Sequence, residues 1–330
     1  MQKSRRWTLL ALAVLIAAGG GTAWWFLRGR APAVPLNLVI VTLDTTRADR
    51  MGAYGNKEIE TPAFDRIARE GVLFENAVSA APLTLPVHSS MFTGKFPPEH
   101  GVRDNGGFFL GPEQLTLAEV LKTRGYRTGA FVAAYVLDSK WGLNQGFDTY
   151  FDRFDLSESR TVSLGAIQRP GNEVVDQALP WIDQAQGQPF FAWVHLYDAH
   201  SPYRPPEPFA TKYKGRPYNG EIAFADSQVA RLLAKLDELH IADRTVVMIL
   251  GDHGESLGDH GEASHGFFVY NSTTHVPFAI RAPLNSEGTA RRGSGPVGGR
   301  HADGAGPARP CASGGNFRRQ PGAVDDGGQA

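Results

Sequence analysis

The chain has 330 residues, of which 42% are hydrophobic and 20% are charged, and its formal net charge is −1 at pH 7. This composition allows a sizeable core, and the near-neutral charge argues against a dedicated nucleic-acid-binding protein. Cys311 is the one cysteine, so neither a disulfide framework nor a cysteine-based metal site can form within the chain.

Residues 1–30 have the pattern of a targeting segment. Three basic residues precede an apolar stretch from Trp7 to Leu27. As a helix this stretch would be roughly 31 Å long, about the thickness of the bilayer hydrocarbon core. We therefore expect an uncleaved signal anchor, a linker at 31–35 and a membrane-anchored domain exported to the periplasm or the extracellular side. A cleaved signal peptide is the alternative, because small residues at 19–23 could form a cleavage site.

Apolar runs and capping patterns alternate through the next 250 or so residues. A run of strand length at 36–43, LNLVIVTL, predicts a strand buried on both faces, and similar runs follow at 127–134, 190–198 and 245–250. Helices are predicted between them at 61–71, 116–125 and 221–240, the first two from threonines placed as N-caps. This alternation predicts an α/β fold with a mostly parallel sheet sandwiched by helices.

The composition changes near residue 285. Glycine, arginine, alanine and proline dominate the remainder, and no apolar period survives. Such a stretch cannot bury enough apolar surface to order itself. We assign 36–284 to the folded domain and 285–330 to a low-complexity tail, which is either naturally disordered or the product of a reading-frame shift after Pro283.

Polar residues follow three of the predicted strands. Asp44 follows the first strand, Asp252 and His253 follow the last, and Asp198 and His200 follow the strand at 190–198. Ligands of open parallel sheets bind beyond the carboxyl ends of the strands, so we expect these side chains to converge. Two aspartates and a histidine could hold one divalent cation, with calcium, manganese, magnesium and zinc all compatible. Taken singly, each residue could equally serve as a helix cap or a loop residue.

The segment APLTLPVHSSMFTG, residues 81–94, places a hydroxyl before a predicted helix. Thr84 could be an N-cap, a nucleophile or both, since a capping hydroxyl already lies at the helix mouth. The free N–H groups and the positive dipole end of such a helix favour an anion at that position. The residues themselves leave the choice open.

Seven motifs in order resemble the sulfatase family of the alkaline-phosphatase superfamily, over about residues 36–283. They are LDTTRADRMGAYG, TPAFDRIAREGVLFENAVS, APLTLPVHSSMFTGKFPPEHGV, LAEVLKTRGYRTGAFV, GLNQGFDTY, WVHLYDAHSPYRPP and GDHGESLGDHGEASHG. The resemblance implies a metal-dependent hydrolase or transferase that acts on sulfate, phosphate or phosphonate esters. Residues 160–175 and 202–218 are idiosyncratic, so the substrate is not identified.

The resemblance implies one metal site, formed by Asp44, Thr84, Asp252 and His253. Thr45 occupies a position where sulfatases often have a second carboxylate, which is a departure from the family pattern. Because a bridging carboxylate is missing, we interpret the acidic and histidine residues downstream as loop residues rather than a second metal site; these are Glu255, Asp259, His260 and Glu262.

The resemblance also implies catalytic roles for Thr84, His88, His200 and His265. Thr84 occupies the nucleophile position, and His88 replaces the arginine of the signature, where we expect it to contact the anion. His200 and His265 resemble residues that contact the transferred oxyanion or the leaving group. His195 and Asp198 are weaker assignments, each as consistent with a structural role.

A threonine at the nucleophile position has chemical consequences. Sulfatases usually oxidise a cysteine or serine there to formylglycine, which we do not expect from Thr84. The lipoteichoic acid synthases, relatives with threonine at this position and one metal ion, transfer phosphoglycerol. We therefore predict a metal-dependent hydrolase of sulfate or phosphate esters. The alternatives are a transferase of phosphoglycerol or phosphoethanolamine type and an inactive, truncated family member. No oligomeric state is predicted.

Overall fold

The computed structural model describes residues 35–154, 165, 167–185 and 187–283. The predicted anchor at 1–30, residues 31–34 of the linker and the tail at 285–330 lie outside the described residues. Within the part that is described, no helix combines the length and the apolar character needed to cross a bilayer.

The described residues form short and long strands interleaved with helices. The strands are β1 Asn37–Leu43, β2 Val72–Leu73, β3 Ala77–Val78, β4 Arg127–Val132, β5 Thr149–Phe151, β6 Phe190–Leu196, β7 Thr245–Gly251, β8 His275–Val276 and β9 Phe278–Arg281. The α-helices are α1 Pro62–Glu70, α2 Thr84–Thr93, α3 Pro97–His100, α4 Leu117–Thr123, α5 Gly171–Gln184, α6 Phe209–Lys212, α7 Pro217–Glu238 and α8 Asn271–Thr274.

Seven of these strands form one sheet in the order β2-β9-β7-β1-β6-β4-β5. The strands from β7 to β5 are parallel, whereas β9 runs antiparallel to both β7 and β2. Helix α5 packs against β4 and β6, and α1 packs against β7 and β9. The predicted fold class, a mostly parallel sheet flanked by helices, is confirmed.

The central strands explain where the functional residues lie. All seven residues of β6 and six of the seven in β1 are buried, as expected for strands covered on both faces. In the parallel register Leu43 pairs with Leu196 on one side and with Gly251 on the other. The carboxyl ends of β1, β6 and β7 therefore meet at one edge, and the residues that follow them are neighbours.

Two helix boundaries differ from the sequence-based expectation. Helix α7 begins at Pro217, four residues before the predicted start, because proline is well suited to the first turn. Helix α5 lies largely in a region where no element was predicted. Its first N–H, that of Gly171, donates to Asp198 Oδ1 at 2.8 Å, so a residue from beyond β6 caps it. Local sequence carries no signal for such a cap.

The two predicted threonine N-caps have different outcomes. Thr116 and Glu119 form the predicted capping box of α4. Thr61 precedes α1, but its hydroxyl donates to Asp65 Oδ1 and makes no capping bond. The first N–H groups of α1 instead donate to the carboxylate of Asp226 on α7, at 2.9 and 2.8 Å. The expected cap at Thr61 was wrong because a tertiary contact supplies it.

Candidate active site

The edge formed by the carboxyl ends of β1 and β7 brings Asp44, Asp252 and His253 together. Each offers one ligand atom, and these atoms all lie within 4.8 Å of one another. All three side chains are buried, and β1 and β7 hold them in place by direct pairing. Among the described residues this is the one group of three or more such side chains with this spacing.

Thr84 lies beside this cluster at the start of α2. Its Oγ1 donates to Asp44 Oδ2 at 3.1 Å and lies 3.2 Å from His253 Nε2. Thr84 is the first helical residue rather than the N-cap, which is Leu83, and its hydroxyl makes no capping bond. Of the alternatives left open for Thr84, the capping hydroxyl is therefore not the one that the structure shows. The hydroxyl is free to face the cluster because Asn105 Oδ1 accepts the N–H of residue 85 instead, at 2.8 Å.

His253 presents an unprotonated nitrogen to this hydroxyl. Its Nδ1 lies 3.0 Å from the carbonyl oxygen of Gly254, which can only accept, so Nδ1 carries the hydrogen. Burial lowers the pKa of His253 well below its ordinary value and keeps the ring neutral. The hydroxyl of Thr84 thus has one proton and two acceptors within reach, Asp44 Oδ2 and His253 Nε2. It donates to one of them at a time, so the other receives no hydrogen bond from it.

The two carboxylates carry an electrostatic cost that a cation would remove. Burial and then the charge of Asp252 raise the pKa of Asp44 well above its usual value, and burial likewise raises the pKa of Asp252. Asp44 Oδ1 and Asp252 Oδ2 are buried with no hydrogen-bond partner in the described part of the chain. Orphaned carboxylate oxygens beside a bare imidazole nitrogen are a donor set that fits a divalent cation.

Thr45, at the position where the resemblance led us to expect a second carboxylate, has an unusual backbone. Its φ is +49°, a conformation that β-branched residues rarely adopt. Its N–H donates to Asp252 Oδ1 at 3.2 Å, and its own Oγ1 is buried without a hydrogen-bond partner among the residues that the structure describes. Thr45 therefore helps to orient Asp252 through its main chain rather than through its side chain.

His200 and His265 also reach the cluster. The ring of His265 lies 4.5 Å from that of His253 and 5.3 Å from that of His200, measured between centroids. His200 stacks on Tyr197, and its Nδ1 lies 2.7 Å from the carbonyl of Ser201. Burial, followed by the charge of His265, lowers the pKa of His200 to about 4, so at neutral pH it offers a bare Nε2.

Glu255, which the sequence pattern predicts to be a loop residue, is a functional candidate in the structure. Its carboxylate oxygens lie 3.3 Å from His265 Nδ1, and the hydroxyl of Tyr203 donates to Oε2 at 3.1 Å. Such a carboxylate holds the hydrogen on Nδ1 and stabilises the protonated ring. The position of Glu255, two residues after His253, carries no sequence signal for this contact. The contact forms only because the loop folds back and brings Glu255 to His265.

The other carboxylates of this loop have protein partners. Asp259 pairs with Arg47 at 2.8 Å, and Arg47 also donates to the carbonyls of Glu255 and Ser256. Glu262 accepts from the hydroxyl of Ser256 at 3.2 Å. These contacts shape the loop that carries Glu255.

His88 does not lie where an anion contact was expected. It is fully buried, with Nδ1 2.8 Å from the carbonyl oxygen of Thr84 and Nε2 3.1 Å from Thr42 Oγ1. Both ring nitrogens are engaged by protein, so neither is available to a substrate. The expected replacement of the signature arginine by His88 is therefore corrected. The imidazole ring of His88 is shorter than the side chain of an arginine, and it packs into the core.

The two weaker assignments, Asp198 and His195, have different outcomes. Asp198 binds the first N–H of α5, as described above, so the structure supports its structural role. His195 lies in β6 with Nε2 3.6 Å from Asp44 Oδ2. His195 Nε2 is buried and has no hydrogen-bond partner within the described ranges.

Comparison with known proteins identifies the family to which the chain belongs. A family model described as Sulfatase matches residues 36–297, most of the chain. The chain belongs to the sulfatase family. The resemblance noted in the sequence is thereby confirmed.

Several curated relatives are similar to this sulfatase-family chain. Human N-acetylgalactosamine-6-sulfatase is 29% identical over 295 residues, which cover 76% of this chain and 56% of the human protein. The ulvan-active sulfatase of Formosa agariphila is 26% identical over 296 residues, covering 75% of this chain and 56% of that protein. The chain thus spans little more than half the length of these relatives.

Solved structures share the fold. A phosphonate monoester hydrolase of Agrobacterium radiobacter superposes with a TM-score of 0.63 at 20% identity, covering 75% of this chain and 68% of that one. A sulfatase described as putative from Bacteroides fragilis gives a TM-score of 0.64 at 23% identity, covering 76% of this chain and 68% of that one. At these identities the likeness concerns the fold alone.

Proposed function

We propose that this chain is a metal-dependent ester hydrolase of the sulfatase family that acts on sulfate or phosphate monoesters through Thr84. The observation that carries the proposal is the position of the Thr84 hydroxyl, 3.1 Å from Asp44 Oδ2 and 3.2 Å from His253 Nε2. A hydroxyl in contact with a carboxylate and a bare imidazole nitrogen has acceptors for its proton on two sides.

The cation would be held by Asp44, Asp252 and His253, with the hydroxyl of Thr84 beside it. When bound, such an ion supplies charge neutralisation for the buried carboxylates and Lewis-acid polarisation of a non-bridging oxygen of the ester. In the first turn of α2 the N–H of Leu85 is taken by Asn105 and Pro86 has no N–H, so the turn contributes its positive dipole end on the side of the anion.

The protein groups account for the proton movements. Thr84 Oγ1 attacks sulfur or phosphorus, its proton passes to Asp44 Oδ2, and the bond to the leaving alcohol breaks. His265 donates a proton to the leaving oxygen, because Glu255 stabilises its protonated ring. His200 can accept a hydrogen bond at Nε2 but cannot donate a proton to the ester, because its only ring hydrogen is on Nδ1 and faces the carbonyl of Ser201. Water then attacks the sulfur or phosphorus of the threonine ester and gives a proton back to His265, the bond to Thr84 Oγ1 breaks, and the proton held by Asp44 restores the hydroxyl.

The nucleophile bears on the choice between sulfate and phosphate. A threonine ester has no aldehyde carbon through which the group can be expelled, so its second step must break a bond at sulfur or phosphorus. That step suits phosphoryl groups better than sulfuryl groups. The similarity to sulfatases argues instead for sulfate esters as substrates. The test therefore includes both sulfate and phosphate esters. An alcohol acceptor in place of water would give transfer instead of hydrolysis.

Replacement of Thr84 tests the proposal directly. Thr84→Ala should lower turnover of 4-nitrophenyl phosphate and 4-nitrophenyl sulfate in the presence of Mn²⁺ by at least ~10³-fold, as expected for loss of a nucleophile. Thr93→Ala is the matched control, because Thr93 is on the same helix and its hydroxyl donates to the carbonyl of Ser89 and accepts the N–H of Lys95, away from the cluster. Retained activity in Thr84→Ala would refute the nucleophile. Absence of any metal-dependent turnover by the unaltered chain would favour the inactive, truncated alternative.

We further propose that the domain is exported and membrane-anchored by residues 7–27. The support is the length and apolar character of that stretch and the basic residues before it. Fractionation of cells expressing the full chain should place it in the membrane fraction, with protease added outside the membrane removing the folded domain. A protein that remains soluble after export would favour the cleaved-signal alternative.

A further inference from the structure

A buried threonine beneath the site binds three nitrogen atoms at once. Thr42 Oγ1 lies 3.0 Å from Trp193 Nε1, 3.1 Å from His88 Nε2 and 3.0 Å from His195 Nδ1. Thr42, His88, Trp193 and His195 are all fully buried. Thr42 stands two residues before Asp44, so the alternation of β1 directs both side chains to the same face of the sheet.

Counting donors and acceptors fixes where the hydrogens lie. Trp193 Nε1 can only donate, so it occupies one lone pair of the hydroxyl and leaves one lone pair and one hydrogen. His88 Nδ1 faces the carbonyl of Thr84 at 2.8 Å and must carry a hydrogen. In a neutral ring Nε2 of His88 is then bare and takes the hydrogen of Thr42. His195 Nδ1 must therefore donate to Thr42, which leaves His195 Nε2 without a hydrogen.

We propose that Thr42 is a positioning residue for the metal site: its hydroxyl joins His88 and His195 into one hydrogen-bonded chain and holds both rings in the Nδ1–H tautomer. The hydrogen-bonded chain runs from the main-chain carbonyl of Thr84 through His88 and Thr42 to His195. At its far end it presents the bare Nε2 of His195 to Asp44 Oδ2 at 3.6 Å.

The consequence concerns what can bind Asp44. An unprotonated nitrogen cannot donate a hydrogen bond, so His195 leaves the Asp44 carboxylate without a protein donor on that side. The negative charge of Asp44 stays available to a cation. Without the Thr42 hydroxyl, His195 would lose its Nδ1 acceptor and change to the Nε2–H tautomer. That tautomer would hydrogen-bond Asp44 and compete with the cation. Partners of this kind typically change metal affinity ten- to a hundredfold.

The tautomers can be measured in the full chain without any assay of activity. Long-range ¹H–¹⁵N correlation of histidine-labelled protein at pH 8, above the ordinary imidazole pKa of about 6.5, reports which ring nitrogen carries the hydrogen. His88→Gln and His195→Gln assign the two signals. We expect both rings in the Nδ1–H form in the metal-free protein. An Nε2–H tautomer for either ring would overturn the proposal.

Variants of Thr42 test the link to the metal site. Thr42→Val should switch His195 to Nε2–H and weaken Mn²⁺ binding, measured by calorimetry, by ~10- to 100-fold. Thr42→Ser keeps the hydroxyl and should retain the tautomers and most of the affinity. Thr128→Val is the matched control, because Thr128 is equally buried in β4 and its hydroxyl bonds Gly146 and Asp148 instead. Equal loss in Thr42→Ser and Thr42→Val, or in Thr128→Val, would overturn the proposal.

The metal half of this inference rests on the proposed function, and the two can fail separately. If the unaltered chain binds no Mn²⁺, the metal-dependent function fails, while the tautomers still decide the role of Thr42. If Mn²⁺ binds and Thr42→Val neither switches His195 nor weakens binding, the proposed function stands and the role of Thr42 is refuted. If Thr42→Val does not fold, Thr42→Ser and the tautomers of the unaltered chain decide it.

Discussion

Both carboxylate oxygens of Glu255 lie 3.3 Å from Nδ1 of His265. Glu255 is fully buried, and the side chain of His265 is 8% exposed, so solvent screens this pair little. The contact holds the Nδ1 hydrogen in place, and the ring of His265 lies 4.5 Å from that of His253 and 5.3 Å from that of His200, between centroids. Under the proposed function this makes His265, rather than His200, the proton donor to the leaving group.

Glu255→Gln should therefore lower kcat/KM for 4-nitrophenyl esters about 10- to 100-fold, because the amide cannot stabilise a protonated ring. The loss should grow with poorer leaving groups, which need a proton more, so a series of aryl esters of rising leaving-group pKa is the measurement. Asp259→Asn is the control, since Asp259 lies on the same loop and pairs with Arg47. An unchanged dependence on the leaving group in Glu255→Gln would contradict the role of His265.

Removal of divalent cations should lower the thermal stability of the chain. A cation bound to Asp44 and Asp252 stabilises only the folded state, by about 2.7 kcal/mol at a concentration 100 times its Kd. The melting temperature should thus rise when Mn²⁺ is added after treatment with chelator. Asp252→Asn should abolish that rise, whereas Asp259→Asn should keep it. The same rise in Asp252→Asn would show that the ion binds elsewhere.

Asp226→Ala should destabilise the fold through α1. Both carboxylate oxygens of Asp226 accept N–H groups from the first turn of α1, and its loss leaves two buried donors unsatisfied. We expect a decrease of about 2–4 kcal/mol in the free energy of unfolding, measured with denaturant. Thr61→Ala, which removes the cap expected from sequence, should cost about 1 kcal/mol. If Thr61→Ala cost more than Asp226→Ala, the assignment of the cap would be reversed.

Glu221 should make the stability of the fold depend on pH. Burial raises the pKa of Glu221 to about 8, with the charge of Asp198 adding to the effect. The ordinary value is near 4.5, so between pH 4.5 and 8 the folded chain holds a proton that the unfolded chain has released. Stability therefore falls as pH rises through this window and levels off above it.

Glu221→Gln stays neutral and should remove that contribution. As pH rises from 5 to 8.5, the melting temperature of the unaltered chain should fall relative to that of the variant. Comparing the two proteins cancels the other carboxylates that titrate in this range. Parallel curves would mean that Glu221 does not hold a proton in the folded state.

Much of the fold was predictable because local pattern carried it. The buried strands β1, β4, β6 and β7 follow from continuous apolar runs, and the capping box of α4 follows from Thr116 and Glu119. Their boundaries differ from the predicted ones by only a few residues. The short strands β2, β3, β5, β8 and β9 are two to four residues long. Such short segments acquire their structure from the neighbouring strand rather than from their own sequence.

The residues of the candidate site also divide into those that local pattern predicts and those that depend on tertiary contacts. Asp44, Asp252 and His253 each follow a strong strand signal, so the rule for parallel sheets predicted that they would be neighbours. Glu255 and Thr42 carried no such signal, because their roles depend on contacts with His265 in a folded loop and with His195 on a neighbouring strand. His88 lay at a motif position yet turns into the core.

The sequence by itself determined the fold class, the family and the residues that converge beyond β1 and β7, since apolar periodicity and strand order depend on local pattern. Only the tertiary structure decided which histidine nitrogens carry hydrogens, which carboxylate oxygens are left without donors and which residues cap α1 and α5. The physical reason is that hydrogen bonding and burial depend on side chains brought together from distant parts of the chain. These side chains meet only when the sheet has assembled.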